Sequence, residues 1–185
     1  MRPAMKVLGA ILAGGASRRF GSDKAEALIA GEPMLFHVAH RLSPQTDGLV
    51  ICGRSWGSLR TVADRPRPGM GPLGGLAGAL RHAGDHGFDL VLTAACDMPD
   101  IPPGLVERLG PAPSVVKGQQ LVGLWPASLA AELEAHLDET GDYSVRAWMG
   151  RTGARQVEIG EVMSNINTSA DLDAFTRRAG PRSSP

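Results

Sequence analysis

The chain contains 185 residues, with 19 basic and 19 acidic side chains that give a formal net charge of zero, and 43% of its residues are hydrophobic. This length predicts one domain with a buried core. The balanced charge argues against a general nucleic-acid-binding protein, because such proteins usually carry a basic excess. No apolar run approaches the ~20 residues that a membrane-spanning helix needs, so we expect no membrane partner.

The cysteines and histidines of the sequence argue against a disulfide-bonded protein and against a zinc protein. Cys52 and Cys96 are too few for a disulfide framework or a zinc site, and we interpret both as core residues in a reducing compartment. The five histidines show no metal-ligand spacing. The segment before the first apolar run is too short for a signal peptide, which favours a cytoplasmic protein.

The first apolar run, residues 7–12, predicts a buried strand that breaks at Gly14 and Gly15 into a basic loop. The cations of this loop are Arg18, Arg19 and Lys24. Glycines let backbone N–H groups approach an anion, and the cations neutralise its charge. The pattern predicts a nucleoside triphosphate site, with a simple turn that carries solvated arginines as the alternative. Neither the Walker nor the dinucleotide glycine spacing is present.

Strands and helices then alternate as far as residue 100. The apolar patterns predict helices at 34–42 and 73–84 and strands at 48–53, 59–64 and 88–97, with a proline- and glycine-rich loop at 65–75. This alternation of helices with nearly continuous apolar strands indicates an α/β fold whose mainly parallel sheet is covered on both faces. Such sheets bind ligands at the carboxyl ends of their strands, so the glycine loop and Asp97 are expected at one edge.

Beyond residue 100 the predicted elements are shorter. They are a helix at 105–109, a hairpin of strands 114–116 and 120–125, helices near 129–137 and 144–149, a strand at 155–159 and a last helix at 171–177. Ser169 is the predicted N-cap of that last helix. No linker divides the chain, so we predict a single domain over residues 1–179 and a disordered tail over residues 180–185.

Two carboxylates end predicted strands. Asp97 closes the most apolar strand of the chain. A carboxylate there suits a Mg²⁺ ion, which takes one or two protein carboxylates and completes its shell with phosphate oxygens and water. The alternative role of Asp97 is a turn or N-cap residue ahead of Pro99. For Asp64 three interpretations stay open: a group that supports the metal ligands, a contact to the nucleotide or substrate, or a turn residue.

Four segments resemble, in the same order along the chain, the motifs of the molybdenum cofactor guanylyltransferase family of the nucleotidyltransferase superfamily. Residues 12–24 resemble its loop L-A-G-G-x-x-x-R-M-G-x-D-K, with Phe20 in place of methionine. Residues 71–76 resemble its G-P-L-A-G segment, residues 96–99 its C-D-x-P metal motif, and residues 165–168 its N-x-N-T segment. The resemblance covers nearly the whole chain and implies a three-layer, Rossmann-like, mainly parallel sheet of the nucleotide-diphospho-sugar transferase type.

The resemblance also implies a reaction, in which the terminal phosphate of molybdopterin, with or without bound metal, attacks the α-phosphate of GTP. Pyrophosphate leaves, and the product is the guanine dinucleotide form of the cofactor. Mg²⁺ is the implied cofactor, and transient contact with proteins that deliver or accept the molybdenum cofactor is the implied partnership. The alternatives are a cytidylyltransferase, a nucleotidyltransferase with another phosphorylated acceptor, and a non-catalytic nucleotide-binding module.

Site residues follow from the resemblance as well. The residues that it implies for nucleotide binding are Leu12, Ala13, Gly14, Gly15, Lys24, Asp64 and Asp97. The implied catalytic residues are Arg19 and Lys24, which would stabilise the triphosphate and the departing pyrophosphate, and Asp97, which would hold Mg²⁺. Asn165 and Asn167 would bind molybdopterin.

The choice of base depends on Gly14 within this resemblance. Related cytidylyltransferases carry Ala-Ala-Gly where this chain has Ala-Gly-Gly at 13–15. The glycine leaves space for a purine, which favours GTP over CTP. Cys52 departs from the family pattern, because relatives often have an asparagine there that contacts the nucleotide.

Overall fold

The computed structural model describes residues 5–14 and 24–179, the side chains of Lys24 and Ala179 excepted. The predicted tail at 180–185 lies outside these ranges. The strands are β1 (Val7–Leu12), β2 (Leu28–Ile29), β3 (Glu32–Pro33), β4 (Gly48–Cys52), β5 (Arg60–Val62), β6 (Leu90–Ala95), β7 (Ser114–Val116), β8 (Gln119–Pro126) and β9 (Arg155–Val157). The α-helices are α1 (Met34–Leu42), α2 (Gly71–Asp85), α3 (Leu105–Leu109), α4 (Ala130–Thr140), α5 (Val145–Thr152) and α6 (Ser169–Ala179).

The central sheet has seven strands in the order β5–β4–β1–β6–β8–β7–β9. Its first four strands run parallel, and β9 pairs in parallel with β7. β8 is antiparallel to both of its neighbours, β6 and β7, while β2 and β3 form a separate small hairpin. The mainly parallel sheet predicted from the sequence is therefore confirmed, and so is the hairpin of β7 and β8.

Helices cover both faces of the sheet. β1 is buried along its whole length, which explains why its sequence is apolar at every position rather than at alternate ones. Leu8 and Leu12 pack into one core cluster with α2, α4 and α5, whereas Val7 and Ile11 pack into a second cluster with α1 and α3. The fold is thus three-layered, as predicted. No helix within the described ranges is long and apolar enough to span a membrane.

Two helix starts differ from the predictions. α2 begins at Gly71 rather than near residue 73, because Pro72 fits the first turn of a helix, where no intrahelical N–H bond is needed. The predicted N-cap of the last helix at Ser169 is wrong, since Thr168 has that role. The N–H of Asp171 donates to Oγ1 of Thr168 (3.1 Å), and the N–H of Thr168 donates to Oδ2 of Asp171 (2.8 Å). This reciprocal pair satisfies two backbone donors at the helix start.

Glycines allow α2 to lie directly against the backbone beyond β5. A Cβ atom at Gly78 would overlap the carbonyl oxygen of Ala63 and would lie 3.2 Å from Cγ1 of Val62. Backbone atoms cannot rotate away as a long side chain can, so the helix itself would have to move. The position of α2 matters because its first turns lie beside the end of the sheet where the site is predicted.

We expect Gly78→Ala to lower the free energy of unfolding by about 1–3 kcal/mol, because the added methyl group overlaps backbone. Urea denaturation followed by circular dichroism measures the change. Gly84→Ala is the matched control in the same helix, since nothing lies within 4 Å of its added methyl group. The control should be neutral or stabilising by up to about 1 kcal/mol. Equal stabilities of the two variants would contradict this account of α2 packing.

Candidate active site

The candidate site lies at the carboxyl edge of the sheet, where β4, β1 and β6 end side by side. The N–H of Ala13 donates to the carbonyl oxygen of Cys52 (2.9 Å), and the N–H of Cys96 donates to that of Leu12 (3.1 Å). These bonds continue the parallel ladders one residue beyond the strands. They bring the start of the glycine loop and Asp97 to the same edge, as the alternation of elements predicts.

Gly14 and Gly53 bring two backbones into direct contact at this edge. Gly53 has a φ of +88°, which favours glycine, and a Cβ atom there would overlap Cα of Gly14 and lie 2.5 Å from its nitrogen. In the other direction, a Cβ atom on Gly14 would lie 3.4 Å from Cα of Gly53. Gly14 therefore has a packing role in addition to the space for a purine that the sequence suggests. Sequence reasoning treated Gly53 only as the end of a strand and missed this contact.

Part of the predicted phosphate loop, including Gly15 and Arg19, lies outside the described residues. A 3₁₀ turn, Lys24–Glu26, follows this part of the loop, and only the backbone of Lys24 is described there. The carboxylate of Glu26 pairs with Nη2 of Arg54 (3.2 Å), in the segment that follows β4. The chain therefore enters and leaves the predicted phosphate loop beside the same segment.

Asp64 lies half-buried beyond β5, against the first turns of α2. A Cβ atom at Gly74 would lie 3.3 Å from Cβ of Asp64, and one at Gly75 would lie 3.8 Å from its Oδ1 and 3.2 Å from Cβ of Cys52. Burial, and secondly the charge of Asp64, raise the pKa of the Cys52 thiol to about 12. Cys52 is therefore a neutral core thiol near neutral pH and is unsuited to act as a nucleophile.

A segment that we call the strap, residues 163–168, is fastened to the loop that follows β6. The N–H of Ser164 donates to both carboxylate oxygens of Asp100 (2.8 and 3.1 Å). The N–H of Ile166 donates to the carbonyl oxygen of Asp97 (3.0 Å). These bonds hold the strap beside Asp97, although more than sixty residues separate the two segments. Sequence reasoning missed Asp100, whose only signal was a carboxylate three residues beyond Asp97.

Asn165 and Asn167 project from the strap on either side of Ile166. Ile166 is 1% exposed and packs against Ile29 and Met34, whereas both asparagines are exposed. Nδ2 of Asn167 donates to Oδ1 of Asn165 (3.1 Å). The buried isoleucine therefore anchors the strap, and the two exposed asparagines lie beside the end of β6.

A cavity of about 220 Å³ adjoins the strap on the β8 side of β6. Its walls are formed by Ala95, Met98, residues 118–121 of the β7–β8 hairpin, Val145 and Asn165. Most small-molecule sites are larger, at ~300–1,000 Å³, so this space suits a single ring system better than a whole nucleotide. Gly14, Gly53 and Asp64 lie on the other side of β6, so Asp97 stands between this cavity and the start of the glycine loop.

Comparison with known proteins identifies a matching family and similar relatives. The family model of the MobA-like NTP transferase domain matches residues 9–157. A relative from Acidiphilium cryptum, named molybdenum cofactor guanylyltransferase, is 35% identical over 178 residues, which cover 89% of this chain and 91% of the relative. The similarity includes nearly all of both chains.

Solved structures share the fold. Molybdopterin-guanine dinucleotide biosynthesis protein A from Archaeoglobus fulgidus aligns with a TM-score of 0.76 at 24% identity, over 93% of this chain and 98% of that one. A 2-C-methyl-D-erythritol 4-phosphate cytidylyltransferase from Thermus thermophilus aligns with a TM-score of 0.64 at 15% identity, over 92% and 97% of the two chains. The predicted sheet of the nucleotide-diphospho-sugar transferase type is confirmed.

We expect Gly53→Ala to be more destabilising than Gly57→Ala by about 1–3 kcal/mol, because only the first change forces a methyl group into the backbone of Gly14. Both positions have positive φ, +88° at Gly53 and +52° at Gly57, so both variants have a side chain in the left-handed region. Nothing lies within 4 Å of the methyl group added at Gly57. Chemical denaturation of the two variants measures the difference, and equal losses would rule out a role for the Gly14–Gly53 contact.

Proposed function

This chain belongs to the MobA-like NTP transferase family, and we propose that it transfers GMP from GTP to the terminal phosphate of molybdopterin. The products are pyrophosphate and molybdopterin guanine dinucleotide. The observation that carries this proposal is the similarity, along nearly the whole chain, to the Acidiphilium cryptum guanylyltransferase. The two regions on either side of Asp97 suit a reaction that joins two ligands.

In the proposed reaction an oxygen of the molybdopterin phosphate forms a bond to the α-phosphorus of GTP. The bond from that phosphorus to the oxygen that bridges to the β-phosphate breaks, and its electron pair leaves with pyrophosphate. No covalent enzyme intermediate is required. The task of the protein is to align the two phosphates and to stabilise the charge that develops around the phosphorus.

The roles of individual residues are part of this proposal. Residues 12–15 surround the nucleotide, and Arg19 and Lys24 neutralise the triphosphate and the departing pyrophosphate. Asp64 contacts the nucleotide side, a role consistent with its place between the end of β5 and the first turns of α2. Asn165 and Asn167 bind molybdopterin, a role consistent with the exposure of both side chains and with the place of Asn165 in the wall of the cavity.

Mg²⁺ fits the donor groups at this edge. Among residues 5–14 and 24–179, no three or more His, Cys, Asp and Glu side chains form a group suited to a metal ion. Mg²⁺ does not need such a group when phosphates are present, because it binds one or two protein carboxylates and keeps phosphate oxygens and water as its other ligands. Asp97 would hold the ion through its half-buried carboxylate. The ion would supply positive charge against the triphosphate.

The guanine base is favoured by two observations of different kinds. The relative from Acidiphilium cryptum, which matches along nearly the whole chain, is named a guanylyltransferase. Gly14 stands where related cytidylyltransferases carry alanine, and the absence of a side chain there would leave space for a purine. The alternative of a cytidylyltransferase has support from the fold alone, because the Thermus thermophilus cytidylyltransferase shares that fold. The fold alone therefore does not distinguish a guanylyltransferase from a cytidylyltransferase, and a direct assay with each nucleotide is needed.

The decisive experiment incubates the purified protein with Mg²⁺, molybdopterin and each of the four nucleoside triphosphates in turn. We expect release of pyrophosphate and formation of the dinucleotide with GTP, because the proposed pocket accommodates a purine. Product formation is measured by chromatography and pyrophosphate by a coupled assay. Product with CTP and none with GTP would overturn the guanylyl assignment, and no product with any of the four would overturn the transferase itself.

Asp97→Asn tests the proposed metal-binding carboxylate. We expect kcat to fall by at least ~10²-fold, because the variant keeps the shape of the side chain and loses the negative charge that would hold Mg²⁺ against the triphosphate. Asp173→Asn is the control, since it removes an exposed carboxylate from α6 and should leave turnover unchanged. Thermal unfolding verifies that both variants are folded. Wild-type turnover in Asp97→Asn would remove this residue from the mechanism.

A further inference from the structure

We propose that Glu134 is a positioning residue for the nucleotide: it clamps the loop after Asp64 to α2, and the clamp sets the affinity for GTP. This inference rests on the proposed function. Glu134 lies in α4, and its sequence context gives no sign of a connection to the site. The contacts of Glu134 join the loop after Asp64 to α2, and both segments lie next to the predicted nucleotide site.

One carboxylate binds two guanidinium groups. Oε1 of Glu134 accepts a hydrogen bond from Nε of Arg65 (2.7 Å) and another from Nε of Arg81 (3.1 Å). Oε2 accepts from Nη2 of Arg81 (2.9 Å). The pair with Arg81 is thus a two-point contact, which is geometrically more restrictive than a single ion pair. Arg65 belongs to the loop and Arg81 to α2, so Glu134 fastens these two segments to each other through α4.

The clamp is connected to Asp64 by a short path. Arg65 directly follows Asp64, and its N–H donates to the carbonyl oxygen of Gly74 in the first turns of α2 (3.0 Å). The side chain of Asp64 packs against the same glycine. The main chain of Arg65 is therefore bound to α2 while its side chain is bound to α4, which leaves Asp64 little freedom to move relative to the helix.

A second ion pair continues along the same face. Nη1 of Arg67 lies 3.1 Å from Oδ1 of Asp138, one helical turn beyond Glu134 on α4. Both members of this pair are largely exposed, so it contributes less than the clamp. The side chain of Glu134 is only 16% exposed, which reduces solvent screening of its contacts. The loop at 65–70, to which the sequence assigned no role, is therefore held mainly through Arg65.

The charge state of the clamp agrees with this role. Hydrogen bonds from Arg81 and then from Arg65 lower the pKa of Glu134, although its partial burial acts in the opposite direction. A carboxylate whose pKa is lowered in the folded protein stabilises it at neutral pH, and that contribution is lost only as the pH falls through the lowered pKa. The clamp is therefore ionised throughout the neutral range.

Glu134→Gln tests the proposal, because glutamine keeps the shape of the side chain and removes its charge. We expect the Kd of GTP, measured by titration calorimetry, and the KM for GTP to rise about 5-fold, a size typical of residues that act through a neighbouring element. The value of kcat at saturating GTP and the KM for molybdopterin should stay within about 2-fold of wild type, because the reacting groups are untouched.

Glu132→Gln is the matched control on the same helix. Glu132 also forms an ion pair, with Nε of Arg151 (3.2 Å), but it faces α5 and its side chain is 44% exposed. Its loss should leave every constant unchanged. A rise in the Kd of GTP of the same size in both variants would overturn the proposal, and so would an unchanged Kd in a folded Glu134→Gln protein.

Arg65→Gln keeps the test valid if Glu134→Gln fails to fold. This variant removes only the side-chain bond between the loop and Glu134, since Arg81 remains bound to Glu134, and it should also weaken GTP binding. Unchanged GTP binding in Arg65→Gln would overturn the proposal.

Binding and turnover separate the two hypotheses. A wild-type protein that binds GTP but forms no dinucleotide would overturn the proposed function. The clamp would then be tested by comparing the Kd of GTP for Glu134→Gln with that for wild type. A protein that turns over normally while Glu134→Gln binds GTP as tightly as wild type would overturn the clamp alone. A wild-type protein that binds no GTP would overturn both.

Discussion

The site depends on the parallel pairing of β1 with β4 on one side and with β6 on the other. Parallel neighbours end at the same edge, so the loops after these strands must emerge together. The hydrogen bonds from Ala13 to Cys52 and from Cys96 to Leu12 carry this alignment past the strands into the loops. Backbone pairing is what brings Asp97 next to the start of the glycine loop.

Main-chain segments approach one another closely near this edge of the sheet, and glycines make these close contacts possible. Gly14 meets Gly53 where two loops leave the sheet, and Gly78 meets the backbone of Ala63 where α2 passes beyond β5. In both places a Cβ atom would overlap main-chain atoms that have no side-chain freedom to yield. The consequence for function is indirect: these contacts determine how far the first turns of α2 and the start of the phosphate loop lie from Asp97.

Segments that are distant in sequence then fasten the two sides of the site. Asp100 holds the strap, through Ser164, beside the end of β6, and Ile166 anchors it in a small core of its own. On the other side, Glu134 holds the loop after Asp64 against α2. The proposed nucleotide side and the proposed acceptor side are thus supported by separate structural elements, with Asp97 between them. A change in one support is expected to affect one ligand more than the other.

The sequence by itself determined the fold class and the general place of the site. The continuous apolar runs of β1 and β6 predict strands buried on both faces, and the topology of a parallel sheet brings their carboxyl ends together whatever the details of packing. The motifs also identified the family correctly, and most helices and strands were found because their periodicity is a local property. The N-cap of α6 was missed because Thr168 and Ser169 are both suitable types, and the position of Asp171 decides between them.

Only the tertiary structure decided which residues support the site. The contact of Gly53 with Gly14, the bond from Ser164 to Asp100, and the clamp at Glu134 join positions that are between 39 and 69 residues apart. Local periodicity and propensity cannot predict such pairs, because each residue has an ordinary explanation in its own segment: a strand end, a turn or a polar position on a helix. Their roles arise from the path of the chain in three dimensions, which places an ordinary glycine or glutamate where it has a particular neighbour.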